Sequence, residues 1–235
     1  MALSTVRRQI IGCEECPRLR AYCARIAQDK RAAFRNDVYW GRPVPGFGDR
    51  RARLLVLGLA PAAHGANRTG RPFTGDRSGD FLMAAMHETG FANQALCRDK
   101  QDGLVLIDAY LSTVVRCAPP DNRPAPTEIA NCHPLLQAET TALPRLKAIV
   151  ALGKIAYDSY WRLLAERDIT VRPRPRFHHG LVCRPPGAWP LVVSYHPSQQ
   201  NTHTGRLTPT MLVDVLTTAR TLLDEQRPHG ARLGR

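Results

Sequence analysis

Nowhere in this chain do about 20 apolar residues run together, so no segment is long enough to cross a bilayer as a helix. The amino terminus, MALSTVRRQIIGCEEC, also lacks the long apolar core of a secretory signal peptide. These absences lead to the expectation of a cytoplasmic protein with no membrane partner, in a compartment where thiols stay reduced. Acidic residues are in deficit: 20 Asp and Glu stand against 33 Lys and Arg, a net charge of +13. That imbalance points to a polyanionic partner, foremost nucleic acid. No internal repeat and no clear boundary divides the 235 residues, which suit one domain with a sizeable core. The last stretch, 227–235, reads as a basic, weakly ordered tail. A monomer is the default expectation.

Cysteine, by contrast, is plentiful. Seven thiols in a reducing compartment argue for a metal or cluster rather than a disulfide framework. Cys13 and Cys16 form a C-x2-C pair, and Cys117 and Cys132 follow far downstream. A C-x2-C pair lets two thiolates face one centre without strain. Four thiolates suit a structural zinc or an iron–sulfur cluster, and spacing does not choose between them. Pro17 and the pair Pro119-Pro120 stiffen the chain where it leaves these positions. The plainer reading is four unrelated buried thiols; the second pair, beside a strand end, weighs against it. Cys23, Cys97 and Cys183 lack a partner at short spacing and read as ordinary thiols.

Short runs rich in Val, Leu and Ile occur at 54–57, 111–115, 149–152 and 191–195. Such runs read as strands buried on both faces, as in parallel sheets. Helical patterns fall between and around them, at 16–29, 78–89, 127–143, 154–167 and 208–225, with Ser78 read as a cap. The alternation predicts a three-layer α/β/α domain around a central, mainly parallel four-stranded sheet. Residues 172–180, with alternating Arg and Pro, break the pattern and read as a loop.

Three segments after strand ends carry chemistry. The first is GLAPAAHGANRTGRPFTGD, residues 58–76, where Gly58, Ala60 and Ala62 allow close approach to the backbone. Phe73 and Asp76 then supply an aromatic face and a carboxylate within the same segment. The second is VVRCAPPDNRPAPTE, containing Asn122. The third is HPSQQNTHTGRLT, which places His196 where a strand ends, followed by a polar loop with Ser198, Gln199 and Arg206. Each polar residue has a plainer role available. Asp76 could cap the following helix, Asn122 could shape the Pro-Asp-Asn-Arg turn, and His196 could be a structural histidine.

Taken with the four cysteines, these motifs resemble the uracil-DNA glycosylase superfamily, most closely its family 5, the B-type iron–sulfur enzymes. The likeness runs from Cys13 to about Met211. It departs from related families in two places. Leu59 and Ala60 stand where families 1 and 4 carry a carboxylate near the start of the first motif. Ser112-Thr113 stand where family 4 has a uracil-reading Asn. Both departures match the family 5 pattern, in which Asp76 and Asn122 take part instead.

The resemblance implies a monofunctional DNA glycosylase of base excision repair, acting on uracil and on other deaminated or damaged bases such as hypoxanthine and ethenocytosine. Its partner would be double- or single-stranded DNA carrying the lesion. It implies Asp76, Asn122 and His196 as catalytic residues and Phe73 as the face on which a flipped base stacks. Gly58, Ala60 and Ala62 would line the base pocket. Ser198, Gln199 and Arg206 would contact DNA. Cys13, Cys16, Cys117 and Cys132 would hold a [4Fe–4S] cluster of structural use, with Arg18, Arg20, Arg116 and Arg123 as candidate phosphate contacts. No lysine lies in the three motifs, which disfavours an imine-forming lyase. Two alternatives compete: a non-catalytic, metal-stabilised DNA-binding protein, and a zinc hydrolase using His178, His179 or His196. The first leaves the strand-end polar residues unexplained. The second lacks a compact spacing with carboxylates.

Overall fold

A computed structural model describes residues 1–226; the 227–235 tail lies outside the described residues. The chain runs α1 (Leu3–Ile11), α2 (Pro17–Asp29), β1 (Phe47–Gly48), β2 (Leu54–Gly58), α3 (Ala66–Thr69) and α4 (Arg77–Glu88). It continues through β3 (Ala109–Thr113), α5 (Pro126–Thr141), β4 (Ala148–Leu152), α6 (Lys154–Ala165), β5 (Val182–Cys183), β6 (Leu191–Ser194), α7 (Gln199–His203) and α8 (Pro209–Glu225).

The sheet has six strands rather than four, in the order β1-β3-β2-β4-β6-β5. The four expected strands are the parallel centre, with Leu54 opposite Ala109 on one side and Ala148 on the other. The two additions are two-residue antiparallel edge strands, β1 on β3 and β5 on β6. They carry no apolar run of their own and exist through pairing with a central neighbour.

Alternation along the central strands builds two cores. Leu55, Leu57, Ile149 and Ala151 face one cluster with residues of α2, α5 and α6. Leu54, Val56, Val150 and Leu152 face the other, with residues of α4 and α8. All four central strands are buried on both faces, which is why they read as unbroken apolar runs. The expected three-layer α/β/α arrangement is therefore present.

Chain direction decides where chemistry can occur. From β2 the chain returns through α4 on one face, whereas from β4 it returns through α6 on the other. The reversal opens a crevice beyond the carboxyl ends of β2 and β4, where open α/β sheets bind ligands. The loops after β2, β3 and β6 all emerge at that edge.

Candidate active site at the carboxyl edge of the sheet

Gly58 is the last residue of β2, and the space a side chain would occupy is filled by the Phe73 ring. Phe73 itself has a left-handed backbone, φ +50°, which costs a bulky residue energy unless its surroundings enforce it. Cys97 Sγ donates to the Phe73 carbonyl at 3.0 Å, and that carbonyl lies against Gly79, where any Cβ would collide. The Phe73 ring lies 6.3 Å from the His196 ring, tilted by 31°. Gly153, just beyond β4, leaves room for His196: a Cβ there would lie 3.2 Å from that of the histidine. Gly58, Phe73 and His196 thus meet over the ends of β2, β4 and β6.

The His196 backbone is pinned by Asn201, whose amide Nδ2 donates to its carbonyl at 2.8 Å. Burial pushes the imidazole pKa down to about 4. At neutral pH the ring is uncharged, with one nitrogen carrying a proton it can donate.

Beside this group lies an open cleft of about 1500 Å³ whose walls include Ala62, Gly65, Asp76, Asn122 and Gln199. Asp76 caps α4: its Oδ1 accepts from the Gly79 N–H at 3.0 Å, so Asp76, rather than Ser78, is the cap. Its Oδ2 faces Gly65, where any larger residue would strike it. Burial raises the carboxyl above its ordinary value, opposed by the Gly79 and Ser78 N–H groups and by Arg68. Capping and cleft lining are therefore two jobs of one side chain, one for each oxygen.

Asn122 closes the 3-10 turn Pro120–Asn122 with φ +56°, after Asp121 at +53°. Asn and Asp tolerate this left-handed geometry better than other side chains. The side chain is exposed and makes no hydrogen bond among the described residues.

The remaining sequence-derived positions are spread more widely. Ala60 packs against the core cluster under α2, α5 and α6. Ser198 caps α7, accepting from the Asn201 N–H at 3.4 Å; this short helix lies inside what reads in sequence as a loop. Gln199 reaches the cleft. Arg206 lies over the Tyr195 ring, 4.5 Å from its centroid.

Arg68 matters to this site and carries no distinct signal in sequence. Its Nε donates to the His64 carbonyl at 2.9 Å, one terminal nitrogen to Asp37 at 2.7 Å and the other to the Gly75 carbonyl at 3.0 Å. One guanidinium thereby ties the residue before Asp76 to a segment more than thirty positions upstream. Nearby, the Tyr39 hydroxyl and His64 Nδ1 are 3.0 Å apart. The only hint is two arginines inside the small-residue motif, and their acidic partners, Asp37 and Asp102, are remote in sequence.

Cys13 and Cys16 sit in the turn between α1 and α2, Cys117 in the loop after β3, and Cys132 on α5. All but Cys13 are buried. Cys132 accepts a hydrogen bond from the Arg116 backbone and feels the charges of Cys16 and Cys13; Cys117 feels that of Cys132. Asn131 Nδ2 lies 3.6 Å from Cys16 Sγ. Cys23 is not isolated as its spacing suggests: it shares a hydrogen bond with Cys117. Among the described residues no three Cys, His, Asp or Glu close tightly enough to hold a single metal ion.

The candidate phosphate contacts near these thiols fare differently. Arg116 is fully buried, paired with Glu139 at 2.8 Å and donating to Ser112 at 2.7 Å. It has no surface to offer DNA. Arg18 forks onto Glu128 at 2.7 and 2.8 Å, and Arg20 bonds Glu14 and the Gly41 carbonyl. Of the four, Arg123 is the one exposed without a carboxylate partner among the described residues.

Residues 45–220 match the family described as the Uracil DNA glycosylase superfamily. A Mycobacterium bovis protein named Type-5 uracil-DNA glycosylase is 51% identical over 211 residues, covering 89% of this chain and 78% of its own. A Mycobacterium leprae protein of the same name is 47% identical over 222 residues, covering 94% and 96%. A third, from Thermus thermophilus, is 47% identical over 213 residues, covering 91% and 94%.

Proposed function

The chain belongs to the uracil-DNA glycosylase superfamily and is a DNA glycosylase of the type-5 group; from that premise we propose that Asp76, Asn122 and His196 release uracil and other deaminated bases from DNA. The observation that carries this reading is the meeting of three strand-end loops. Asp76 and Asn122 line one cleft, and Phe73 and His196 sit over the adjoining strand ends.

A base within a duplex is out of reach, so the nucleotide is extruded first, at roughly a few kcal/mol. Phe73 offers its face to the base. Ala62, on the cleft wall, lets the backbone come close to it, while Gly58 makes room for the Phe73 ring. As the N-glycosidic bond breaks, its electron pair leaves with the base and positive charge builds on the sugar. A neutral His196 donates a hydrogen bond to the oxygen on which the base anion develops. Its depressed pKa suits that role, because a neutral donor does not give its proton away.

Ionised Asp76 stabilises the cationic sugar and holds the attacking water through the oxygen not used by the helix cap. Asn122, across the cleft, completes the grip on water or base. The water oxygen bonds to C1′, and its proton leaves by way of the Asp76 carboxylate. Few side chains read the base edge, which favours hypoxanthine and ethenocytosine as further substrates.

Four thiolates at Cys13, Cys16, Cys117 and Cys132 would suit a cluster: Cys132 feels the charges of Cys13 and Cys16, and Cys117 feels that of Cys132. The Arg116 N–H and Asn131 amide are donors of the kind that thiolate sulfur accepts. A [4Fe–4S] group held there supplies cross-linking of α1, α2, α5 and the loop after β3. No described helix is long and apolar enough to span a membrane. A cytoplasmic monomer of one domain completes the reading.

The test is base release from duplex and single-stranded oligonucleotides carrying one uracil, with EDTA present and alkali used to reveal abasic sites. Release of uracil, and then of hypoxanthine from a second set, is the expected result. No release from any strand, with DNA binding intact, would overturn it. Absorbance near 400 nm tests the cluster independently.

A further inference from the structure

Resting on the glycosylase reading, we propose that residues 172–178 form a basic rail for the DNA strand flanking the lesion, with Arg172, Arg174 and Arg176 on its phosphates. The segment Arg172-Pro-Arg-Pro-Arg-Phe-His178 holds three arginines and no Asp or Glu. All three arginines are exposed, and none forms an ion pair among the described residues. Elsewhere arginines are engaged by carboxylates: Arg18 by Glu128, Arg53 by Asp108, Arg184 by Glu225. Exposed charge at a surface is ordinary. What sets this stretch apart is a fastened backbone beneath cations that face solvent.

From Arg174 onward every second residue turns inward. Pro175, Phe177 and His179 are half-buried, whereas Arg174, Arg176 and His178 are exposed, the two-residue alternation of extended chain. Pro175 restricts its own backbone and that of Arg174 before it to such geometry. The Tyr157 hydroxyl donates to the Pro175 carbonyl. The Phe177 ring meets Tyr157 edge-on, centroids 5.6 Å apart, and lies 6.1 Å from Tyr195. His179 Nδ1 accepts from the Tyr195 N–H at 3.3 Å, and the Gly180 N–H donates to the Val193 carbonyl at 2.8 Å. Arg174 lies over the Trp161 ring, 5.5 Å from its centroid, and stays exposed. A segment ordered in advance loses little entropy when a partner binds.

The placement fits the task. β5 runs antiparallel to β6, so the chain entering β5 comes from the carboxyl edge of the sheet. There His179 touches Tyr195, the residue before His196. The rail therefore ends beside His196 on the β5 side, whereas Asp76 and Asn122 line the cleft on the side of β2 and β3. A strand whose extruded base lies at His196 has one flank over the cleft and the other over the rail. Alternate residues of extended chain stand about 7 Å apart, close to the distance between successive phosphates of one strand. The guanidinium fork matches phosphate oxygens. Charge favours the same occupant. The α6 carboxylate near Tyr157, Asp158, is already paired with Lys154 at 2.6 Å.

The experiment measures binding to duplex oligonucleotides carrying one 2′-fluoro-2′-deoxyuridine, whose glycosidic bond resists cleavage because fluorine destabilises the cationic sugar. Arg172→Gln, Arg174→Gln and Arg176→Gln should each reduce the slope of log K against log salt by about 1, and the triple variant by about 3. Lysine at all three positions should restore the slope, since the charge is kept. Arg145→Gln, before β4 at the opposite edge of the sheet, should leave it unchanged. Shortening the DNA stepwise on each side of the analogue then locates the contact. The native chain should lose affinity from both sides, the triple Gln variant from one alone. A native slope in that variant overturns the rail, and so does a fall matched by Arg145→Gln; losses from both sides in the triple variant overturn its place beside His196. Should the native chain excise no base from the matching uracil strands, the glycosylase reading fails, while salt slope and truncation still decide the rail.

Discussion

The loops after β2 and β3 both line the same cleft, and they place Asp76 and Asn122 there by opposite means. The first is cross-tied: Arg68 joins Gly75 to Asp37 and His64, Arg71 forks onto Asp102 at 2.9 and 2.6 Å, and Asp76 is fastened by the cap of α4. The second is shaped by its backbone, with Pro119, Pro120, Pro124 and Pro126 around two left-handed residues and an exposed Asn122. Side-chain ties hold a carboxylate that is costly to bury, and its raised pKa records the cost. Backbone stiffness presents an amide that is free to turn toward whatever enters. Side-chain ties dominate one loop, backbone shape the other.

Replacing Asp76 with Asn is the sharpest way to separate these designs. The carboxamide oxygen still caps α4, but the charge facing the sugar is gone. Because the folded carboxyl titrates above its ordinary value, ionisation near neutral pH works against folding. Asp76→Asn should therefore lose about a hundredfold or more in single-turnover excision while its urea midpoint holds or rises. If stability and activity fall together, Asp76 is a helix cap alone.

For Asn122 the informative change is to Gly, which accepts a φ of +56° without strain. A residue that only shapes the turn would be replaced without loss. A residue that grips water or base should lose about tenfold in excision with stability altered by less than about 0.5 kcal/mol. Excision that persists at the native rate would move Asn122 out of the site.

The same contrast explains what could be read from sequence. The central strands and five helices are local signals, and they stand within a few residues of their expected ends. The strand expected at 111–115 instead spans Ala109–Thr113, because Val114 and Val115 leave the ladder while their N–H groups bond the Gly58 and Leu59 carbonyls. That pairing keeps both valines buried and apolar, so they look like strand. Features made by distant partners were not legible. The edge strands β1 and β5 require β3 and β6, and the Arg68 and Arg71 ties require Asp37 and Asp102. Of the sequence-derived site, Asp76, Ala62, Asn122 and Gln199 share the cleft, while Arg206 and Ala60 find other neighbours.

His196 places the third loop with the first, on the buried side of the comparison, and pH gives a measure of it. The unfolded imidazole titrates near its ordinary value of 6.5, whereas burial holds the folded one near 4. Above about pH 6.5 both states are neutral and this residue adds no pH dependence. Below it the unfolded chain takes up a proton that the folded chain refuses, so stability falls until about pH 4 and then levels. Between pH 7.5 and 6 the loss is about 1 kcal/mol. Urea midpoints of the native chain and of His196→Gln, compared at both values, isolate that share, since other groups titrate alike in both. Midpoints that fall in parallel would mean His196 is hydrated in the folded state, and the third loop would then belong with the open, adaptable loop of Asn122.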